Sequence, residues 1–581
     1  MVNPFEKLKG RNLMLCNIIY QGPTKKTDWH DYIVVVYRDM VLDKKETYII
    51  EDPEIDIFEV KSEYRKFIKA RHFISKNKLN MHTVKYKNVQ KEVAKIGGEN
   101  YLEYYRTHTK KENRNMFKYP YVVGADVAIE TFYHCLWTDV FGKEFKEKPT
   151  KLYFDIEVDQ YYFKGNMAKE GEVPVNAFSI VDDHNGVVHE FLLNEPSNPL
   201  IKTFRENIAE FYQKLHDEFD DSHGVLEYKI YLVDDEREML VQIFNLIRVI
   251  SADFTEGWNI FGFDIKYLIY RAKVLNIDPA NLFCDPEFPN KHYYFYDDTN
   301  SFDFANKRSY FSVASKTHYS DMIINYPSLR KSGGAVKRVN LGYIAKKEIN
   351  DDKLDYSDAG SIRTLPYEDY ERFVRYSIKD SLLLRGIDRK AKDTDNIYLI
   401  AHANHVPYKD CLKQTVVFRS LMYGFLRERG IVLGHNVNFD VDTNGKYDED
   451  GNKIVYDDDD EDEDDTFEGA INGDTKLNNA NGIILYNNVP SMFLYKLIID
   501  FDFSAMYPNS ICAFNIFATT MIGKVIIEFV PEITYDVDMG KEYIEDVICG
   551  DVLHIGHKWH NLSSFETLNE KMKDKLTRKV A

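Results

Sequence analysis

Lys151-Leu152-Tyr153-Phe154-Asp155-Ile156-Glu157-Val158-Asp159 is the stretch on which the reading of this chain turns. Aromatic and β-branched residues with acids at every second position predict a β-strand. Side chains alternate along a strand, so Asp155 and Glu157 share one face while Phe154, Ile156 and Val158 point into a core. Two carboxylates on one face repel each other unless positive charge lies between them. The stretch is therefore either an edge strand with a solvated face or half of a divalent-metal site. Its neighbours decide.

Residues 175–181 and 189–193 read as further strands, 201–219 as helix and 228–232 as strand. Residues 236–250 predict an amphipathic helix, with Met239, Leu240, Ile243, Phe244 and Ile247 at helical spacing. Strands alternating with helices imply an α/β domain with a mixed sheet. Asp264 opens a helix running to about Leu275, where an acid alone serves as a cap or dipole partner. Asn259 lies in the turn before it, placed to hydrogen-bond backbone or substrate. Tyr376 and Asp380 share a helix face at i, i+4, a weak signal by itself.

Taken in order, Phe154-Asp155-Ile156-Glu157, Asn259-x-x-x-Phe263-Asp264 and Tyr376-x-x-x-Asp380 resemble the three proofreading motifs of family B DNA polymerases. The T-even phage type is the nearest in pattern, through Gly257-Trp258-Asn259, Leu341-Gly342-Tyr343-Ile344 and Lys353-Leu354-Asp355-Tyr356. The resemblance implies a multidomain α/β protein with a ribonuclease H-like, DnaQ-type exonuclease domain. It also implies two Mg²⁺ or Mn²⁺ ions per active site, with Asp155 bridging both, Glu157 and Asp380 completing one shell and Asp264 serving the other. Tyr376, with Glu157, then orients the attacking water, and Asn259 contacts DNA. The residue types suit the chemistry: phosphodiester hydrolysis needs charge neutralisation on attacking and leaving oxygens, and hard cations take oxygen ligands.

The length of 581 residues predicts roughly two to four domains. A net charge of −19 argues against a basic coating protein, though not against a local groove that grips nucleic acid. The six cysteines form no CxxC pair, which speaks against a zinc ribbon and fits a reducing compartment. No secretory signal or membrane span is visible, so a cytoplasmic protein is expected, in the host cytoplasm if viral. Near the N-terminus, Tyr32-Ile33-Val34-Val35-Val36-Tyr37 predicts a buried strand. Thr47-Tyr48-Ile49-Ile50 is its hairpin partner, with Asp43-Lys44-Lys45 in the connection. A basic helical segment follows near residues 64–69, in which a solvated face is the simpler reading than a phosphate contact.

Residues 414–429 read as helix. Asp393-Thr394-Asp395 mimics a polymerase motif but lacks a hairpin's alternating flanks, and reads as an exposed helix or turn. The acidic run at 457–465 lacks the spacing and glycine of a calcium loop and reads as a looped-out insertion. Phe467-Glu468-Gly469-Ala470 resembles the family's Tyr-x-Gly-Gly/Ala template-contact motif, which makes Phe467 and Gly469 expected DNA contacts. Asp500-Phe501-Asp502-Phe503-Ser504-Ala505-Met506-Tyr507-Pro508 resembles the first palm motif. There Asp502 and the Phe503 carbonyl are the implied metal ligands, and Tyr507 is the gate that reads the nucleotide sugar. Asp500 is the rival register, but it misplaces Tyr507. Neither the Lys-bearing fingers motif nor the second palm aspartate follows.

The domain expectation is an N-terminal mixed α+β domain over 1–149, exonuclease over 150–392 and a helical connection over 393–456. The acidic loop at 457–465, an incomplete polymerase palm over 466–564 and the start of the fingers at 565–581 come after it. The implied function is the N-terminal part of a DNA-directed DNA polymerase with 3′→5′ proofreading. Its implied partners are single-stranded 3′ ends and primer-template DNA, dNTP once the site is completed, a second chain carrying fingers, remaining palm and thumb, and a sliding clamp. A stand-alone exonuclease with a structural palm remnant, and a non-catalytic DNA-binding replisome subunit, are the alternatives.

Overall fold

The computed structural model describes residues 3–65, 73–142, 148–165, 167–301, 303–331, 336, 338–356, 358 and 361–434, together with the backbone of five short strands further on. The chain divides into two units, Met1–Leu477 and Asn478–Ala581.

In the first unit, β1 (Leu13–Gln21), β2 (Tyr32–Asp39) and β3 (Lys44–Glu51) form an antiparallel sheet. β4 (Glu54–Val60) follows, then β5 (Phe73–Ser75), then β6 (Leu79–Lys85) and β7 (Val122–Val123), which flank β4. Helices α1 (Val89–Gly97), α2 (Glu99–Thr107) and α3 (Ile129–Phe141) cover this α+β region. Ile33, Val35, Phe5, Phe132 and Trp137 share one core there. Val34 and Val36, on the other face of β2, belong to the larger core that follows, so β2 is buried on both sides. Lys44 and Lys45 lie within β3, not in the connection, which is confined to residues 40–43. Lys45 is drawn inward because its ammonium lies 2.8 Å from the buried Asp253 carboxylate. Of the basic segment near 64–69, Ser62–Tyr64 is a short 3-10 helix and 66–69 lie outside the described residues.

The second layer is a six-stranded mixed sheet. Its members are β8 (Lys151–Val158), β9 (Val175–Asp182), β10 (Val187–Leu193), β11 (Glu227–Val233) and β12 (Phe254–Gly257), followed by the hairpin β13 (Tyr293–Tyr296) and β14 (Tyr310–Val313), and then β15 (His318–Asp321). The hairpin pairs only with itself, and the sheet runs β11-β10-β9-β8-β12-β15. β8 is antiparallel to β9 and parallel to β12. The opening strand is therefore central, which removes the edge-strand reading. Its apolar side chains Phe154 and Ile156 are buried, and Phe154 stacks on Phe178 of β9 with ring centroids 5.4 Å apart.

Helices cover both faces. Residues 201–219 divide into α4 (Pro199–Glu206) and α5 (Ile208–His223), interrupted at Asn207. α6 (Glu236–Ile250) buries the five apolar residues of its stripe. α7 (Asp264–Val274), α8 (Pro279–Phe283), α9 (Met322–Ser328), α10 (Leu341–Ile349) and α11 (Leu365–Glu368) lead to α12 (Tyr370–Ala391). α13 (Asp393–Asn404) and α14 (Gln414–Glu428) then carry the chain back to β16 (Ile431–Leu433), which pairs with β5.

The Asp393-Thr394-Asp395 triplet is helical, as the first turn of α13, but it is not exposed. Thr394 is 1 % exposed and donates to Asp388 at 2.8 Å and to Glu256. Arg330 pairs with Asp393 at 2.8 Å, and Lys151 reaches both Asp388 and Asp395 at 2.6 Å. A polar triplet can be buried when each charge is paired, and this network clamps the start of β8 to α12 and α13.

Asn438–Asp440 pairs antiparallel with Gly445–Tyr447. In the second unit, Lys524–Glu528, Gly550–Ile555 and Lys558–Asn561 form an antiparallel sheet. The acidic run, Phe467, Gly469, Asp500, Asp502, Phe503, Tyr507 and the tail at 565–581 lie outside the described residues. Among the described residues no helix is long and apolar enough to cross a membrane.

Candidate metal centre

The site forms where α12 crosses β8 and β9. Asp155 lies opposite Ser179 and Glu157 opposite Ala177, so small neighbours leave room beside both carboxylates. A register shift between Glu157 and Val158 breaks the ladder there, a device that re-aims side chains at a sheet's functional end. On α12, Ser377 and Ser381 are fully buried against the sheet, and Ser381 Oγ donates to Ser179 O at 3.4 Å. With side chains that small, the helix approaches closely and carries Tyr376 and Asp380 over the strand. Asp155, Glu157 and Asp380 each offer a carboxylate oxygen within 4.8 Å of the other two.

Asp264 stands beside this trio. It is buried at the first turn of α7, where it feels the charge of Asp155 and its own charge acts on Glu157. Asn259 serves the turn before it, with a left-handed φ of +65° and its carbonyl accepting from Gly262 and Phe263 N–H, both at 2.9 Å. Asn259 and Asp264 were legible from spacing, but the residue that fixes their turn was not. Asp321, at the end of β15, accepts from the N–H groups of Asn259 at 2.8 Å, Phe261 at 2.9 Å and Ile323 at 3.1 Å. Its buried carboxylate thus ties the Asp264 turn to the sheet and caps α9. Asp321→Asn retains the shape but puts an amide donor against a donor. Divalent-ion affinity is expected to fall about tenfold, a typical effect of removing a partner behind the ligands, as read by calorimetric titration with Mn²⁺.

Lys353, in Lys353-Leu354-Asp355-Tyr356, is a second supporting residue that the motifs do not single out. Its ammonium is 2.5 Å from Asp380 Oδ2 and donates to the Tyr376 hydroxyl at 3.1 Å. Its loop is pinned by Asp351, which takes an ion pair from Lys379 of α12 at 2.6 Å. Nothing in a lone lysine between two acidic motifs announces this role, since only the fold brings it across. Tyr356 packs edge-on to Tyr376 with centroids 5.3 Å apart, which holds the phenol in place.

The electrostatics are those of a site awaiting positive charge. Burial, then the neighbouring Asp380, pushes Asp155 up to about 7. Burial and the charges of Asp155 and Asp380 raise Glu157 well above the carboxylate range, and burial with Asp155 does the same to Asp264. Asp380 is raised by burial against the pull of Lys353. Lys353 is itself held more basic than usual, because Asp380 and Asp155 outweigh its own burial. Asp380 Oδ1 is buried and accepts no hydrogen bond. An unpartnered buried oxygen beside two further carboxylates, with no histidine or cysteine in the group, fits a hard divalent cation.

Lys353→Met keeps the length of the side chain and removes its charge. The metal-free chain is expected to lose about 1–2 kcal/mol at pH 8, less than a fully buried pair because the lysine is partly exposed. Saturating Mg²⁺ should restore most of it. Melting curves in EDTA and in Mg²⁺ decide this, and an equal loss in both would mean that Lys353 does not stand in for a cation.

Residues 123–322 match the sequence profile of the family B DNA polymerase exonuclease domain. This span holds Asp155, Glu157, Asn259 and Asp264 on the mixed sheet just described. Over this region the chain is homologous to family B DNA polymerases. It is 22% identical to the DNA-directed DNA polymerase of Escherichia phage RB69 over 394 residues, 66% of this chain and 38% of that protein. It is likewise 22% identical to the DNA-directed DNA polymerase of Enterobacteria phage T4 over 288 residues, 47% of this chain and 29% of that one. The DNA polymerase of guinea pig cytomegalovirus is 23% identical over 305 residues, 50% of this chain and 26% of its own length. The chain thus spans well under half the length of the curated relatives it matches. Asp380 and Tyr376 fall outside the profile span but join the family B exonuclease region through α12.

Proposed function

We propose that this chain is a metal-dependent 3′→5′ DNA exonuclease and forms part of a family B DNA polymerase. One observation carries the reading: Asp155, Glu157 and Asp380 converge within 4.8 Å, around a buried carboxylate oxygen with no partner. Asp155, Glu157, Asp380 and Asp264 would hold two divalent cations, which would supply charge neutralisation on the attacking and leaving oxygens. Tyr376 and Glu157 hold the attacking water by hydrogen bonds. Lys353 holds Asp380 and Tyr376 in register, and Asn259, in the turn before Asp264, contacts the DNA strand end. The purified chain with Mg²⁺ should shorten 5′-labelled single-stranded DNA from its 3′ end. Products lost from the 5′ end, or no products at all, would sink the reading.

A polymerase role is a second reading, supported by the resemblance of the Asp502, Phe503 and Tyr507 stretch to the first palm motif. Two-metal nucleotidyl transfer needs a second aspartate, which this sequence does not supply in a matching motif. Primer extension by these 581 residues alone is expected to be undetectable in a gel assay with all four dNTPs. Extension would show that another residue completes the site.

A further inference from the structure

Strand β10 reads Val187-Val188-His189-Glu190-Phe191-Leu192-Leu193, and its Glu190 has no exposed surface. The side chain shares a face with Val188 and Leu192, both buried in the large core, where an apolar residue would cost less. Its register says what it lies beside. Glu190 pairs with Ser179 of β9, and Ser179 pairs with Asp155 of β8. Paired residues of neighbouring strands share a face. Asp155, Ser179 and Glu190 therefore form one row across the sheet, on the side where α12 brings Asp380 to Asp155 and Glu157.

Ser377 of α12 meets the same row. It lies one turn before Asp380, and Ser179 lies directly beside Asp155. Burial pushes the Glu190 carboxyl up to about 8, and the adjacent hydroxyls of Ser377 and Ser179 pull it back. Neither hydroxyl makes a hydrogen bond elsewhere among the described residues. At neutral pH Glu190 is thus an uncharged acid. Such a group both donates and accepts, so it suits one hydroxyl on the strand and one on the helix together. These two serines are also small residues at which α12 comes close to the sheet, and each neighbours a carboxylate of the metal centre.

We propose that Glu190 is a positioning residue of the metal centre: through Ser179 and Ser377 it fixes the spacing of α12 from β8 and β9, and with it the distance of Asp380 from Asp155. Glu190 itself touches neither metal nor substrate. This role rests on the metal-dependent reading of the site and extends it to a residue one strand further from the ligands.

The test is calorimetric titration of the full chain with Mn²⁺, beside melting curves in EDTA. Glu190→Gln keeps a donor and an acceptor and should retain the parent's affinity. Glu190→Leu fills the space with neither. It should bind Mn²⁺ at least about tenfold more weakly, as when a partner behind metal ligands is removed. It should nevertheless melt no lower than the parent, because an apolar side chain replaces a buried polar one. That split separates positioning from support of the fold. Ser377→Ala removes only the hydroxyl on the helix side and keeps a good helix former, so it carries the test if Glu190→Leu does not fold. It should weaken Mn²⁺ binding about three- to tenfold, the worth of one hydrogen bond. In the Glu190→Leu background it should cause no further loss, because the two groups act as one unit. A parent chain that binds no Mn²⁺ would overturn the metal centre and this role with it. Where the parent binds, three results would overturn the positioning role alone: unchanged affinity in Glu190→Leu or Ser377→Ala, a loss in Glu190→Gln as large as in Glu190→Leu, or losses of affinity that track a lower melting temperature.

Discussion

Asp155→Ala is expected to lower single-stranded DNA exonuclease activity by about 10³–10⁵-fold, because it removes charge stabilisation at the reacting phosphate rather than a binding contact. The geometry ranks Asp155 above its neighbours. It sits on the central strand, faces Asp380 across the helix contact, and is the neighbour whose charge most raises both Glu157 and Asp264. Tyr376→Phe, which on the proposed function removes one hydrogen bond to the attacking water, should cost only about 10–100-fold. The measurement is single-turnover degradation of a labelled oligonucleotide in Mg²⁺. If Asp155→Ala retained more than a tenth of the parent rate, Asp155 would not be a ligand of the reacting metal.

The same residue is expected to have the opposite effect on stability. In the metal-free chain Asp155 holds its proton up to about 7, whereas the unfolded chain releases it near the ordinary 3.8. Below about pH 4 both states are protonated and the residue has no effect. As pH rises from there to about 7, the unfolded chain ionises first, and the folded chain loses stability relative to it. Above pH 7 the loss levels off. At 1.36 kcal/mol per unit the ceiling is about 4 kcal/mol, and sharing among coupled carboxylates makes about 2–4 kcal/mol the expected size. Asp155→Asn should therefore match the parent at pH 4 and exceed it at pH 8, as read by urea unfolding in EDTA. Mg²⁺ should close the gap at pH 8, because the ion binds the ionised carboxylates of the parent. A difference that stays constant across this range would mean that Asp155 is not held protonated in the metal-free chain. Together the two outcomes describe a site that is repulsive until filled: removing the charge of Asp155 makes the protein sturdier, and removing its carboxylate makes it inactive.

Much of this was legible in local pattern. The alternation in residues 151–159 specified a strand with Asp155 and Glu157 on one face, and the 3.6-residue spacing in 236–250 specified α6 to its ends. The i, i+4 spacing of Tyr376 and Asp380 placed both on one face of α12. Such features depend on neighbours in sequence, and backbone geometry alone relates them. Polarity was a poor guide to exposure where charges pair. Asp393-Thr394-Asp395 looked solvated, yet Asp393 and Thr394 are buried and Asp395 is paired, because Arg330 and Lys151 arrive from far along the chain.

By itself, the sequence determined which carboxylates share a strand or a helix face, and the order in which the three motifs occur. Only the tertiary structure decided that the strand is central, that Asp380 comes within 4.8 Å of Asp155 and Glu157, and that Lys353 and Asp321 support them. The physical reason is range. Periodicity orients a side chain relative to its own element, whereas a metal centre is a balance of charges brought together from separate elements. That balance is set by how closely α12 packs on the sheet and by how the Asp264 turn is tied down.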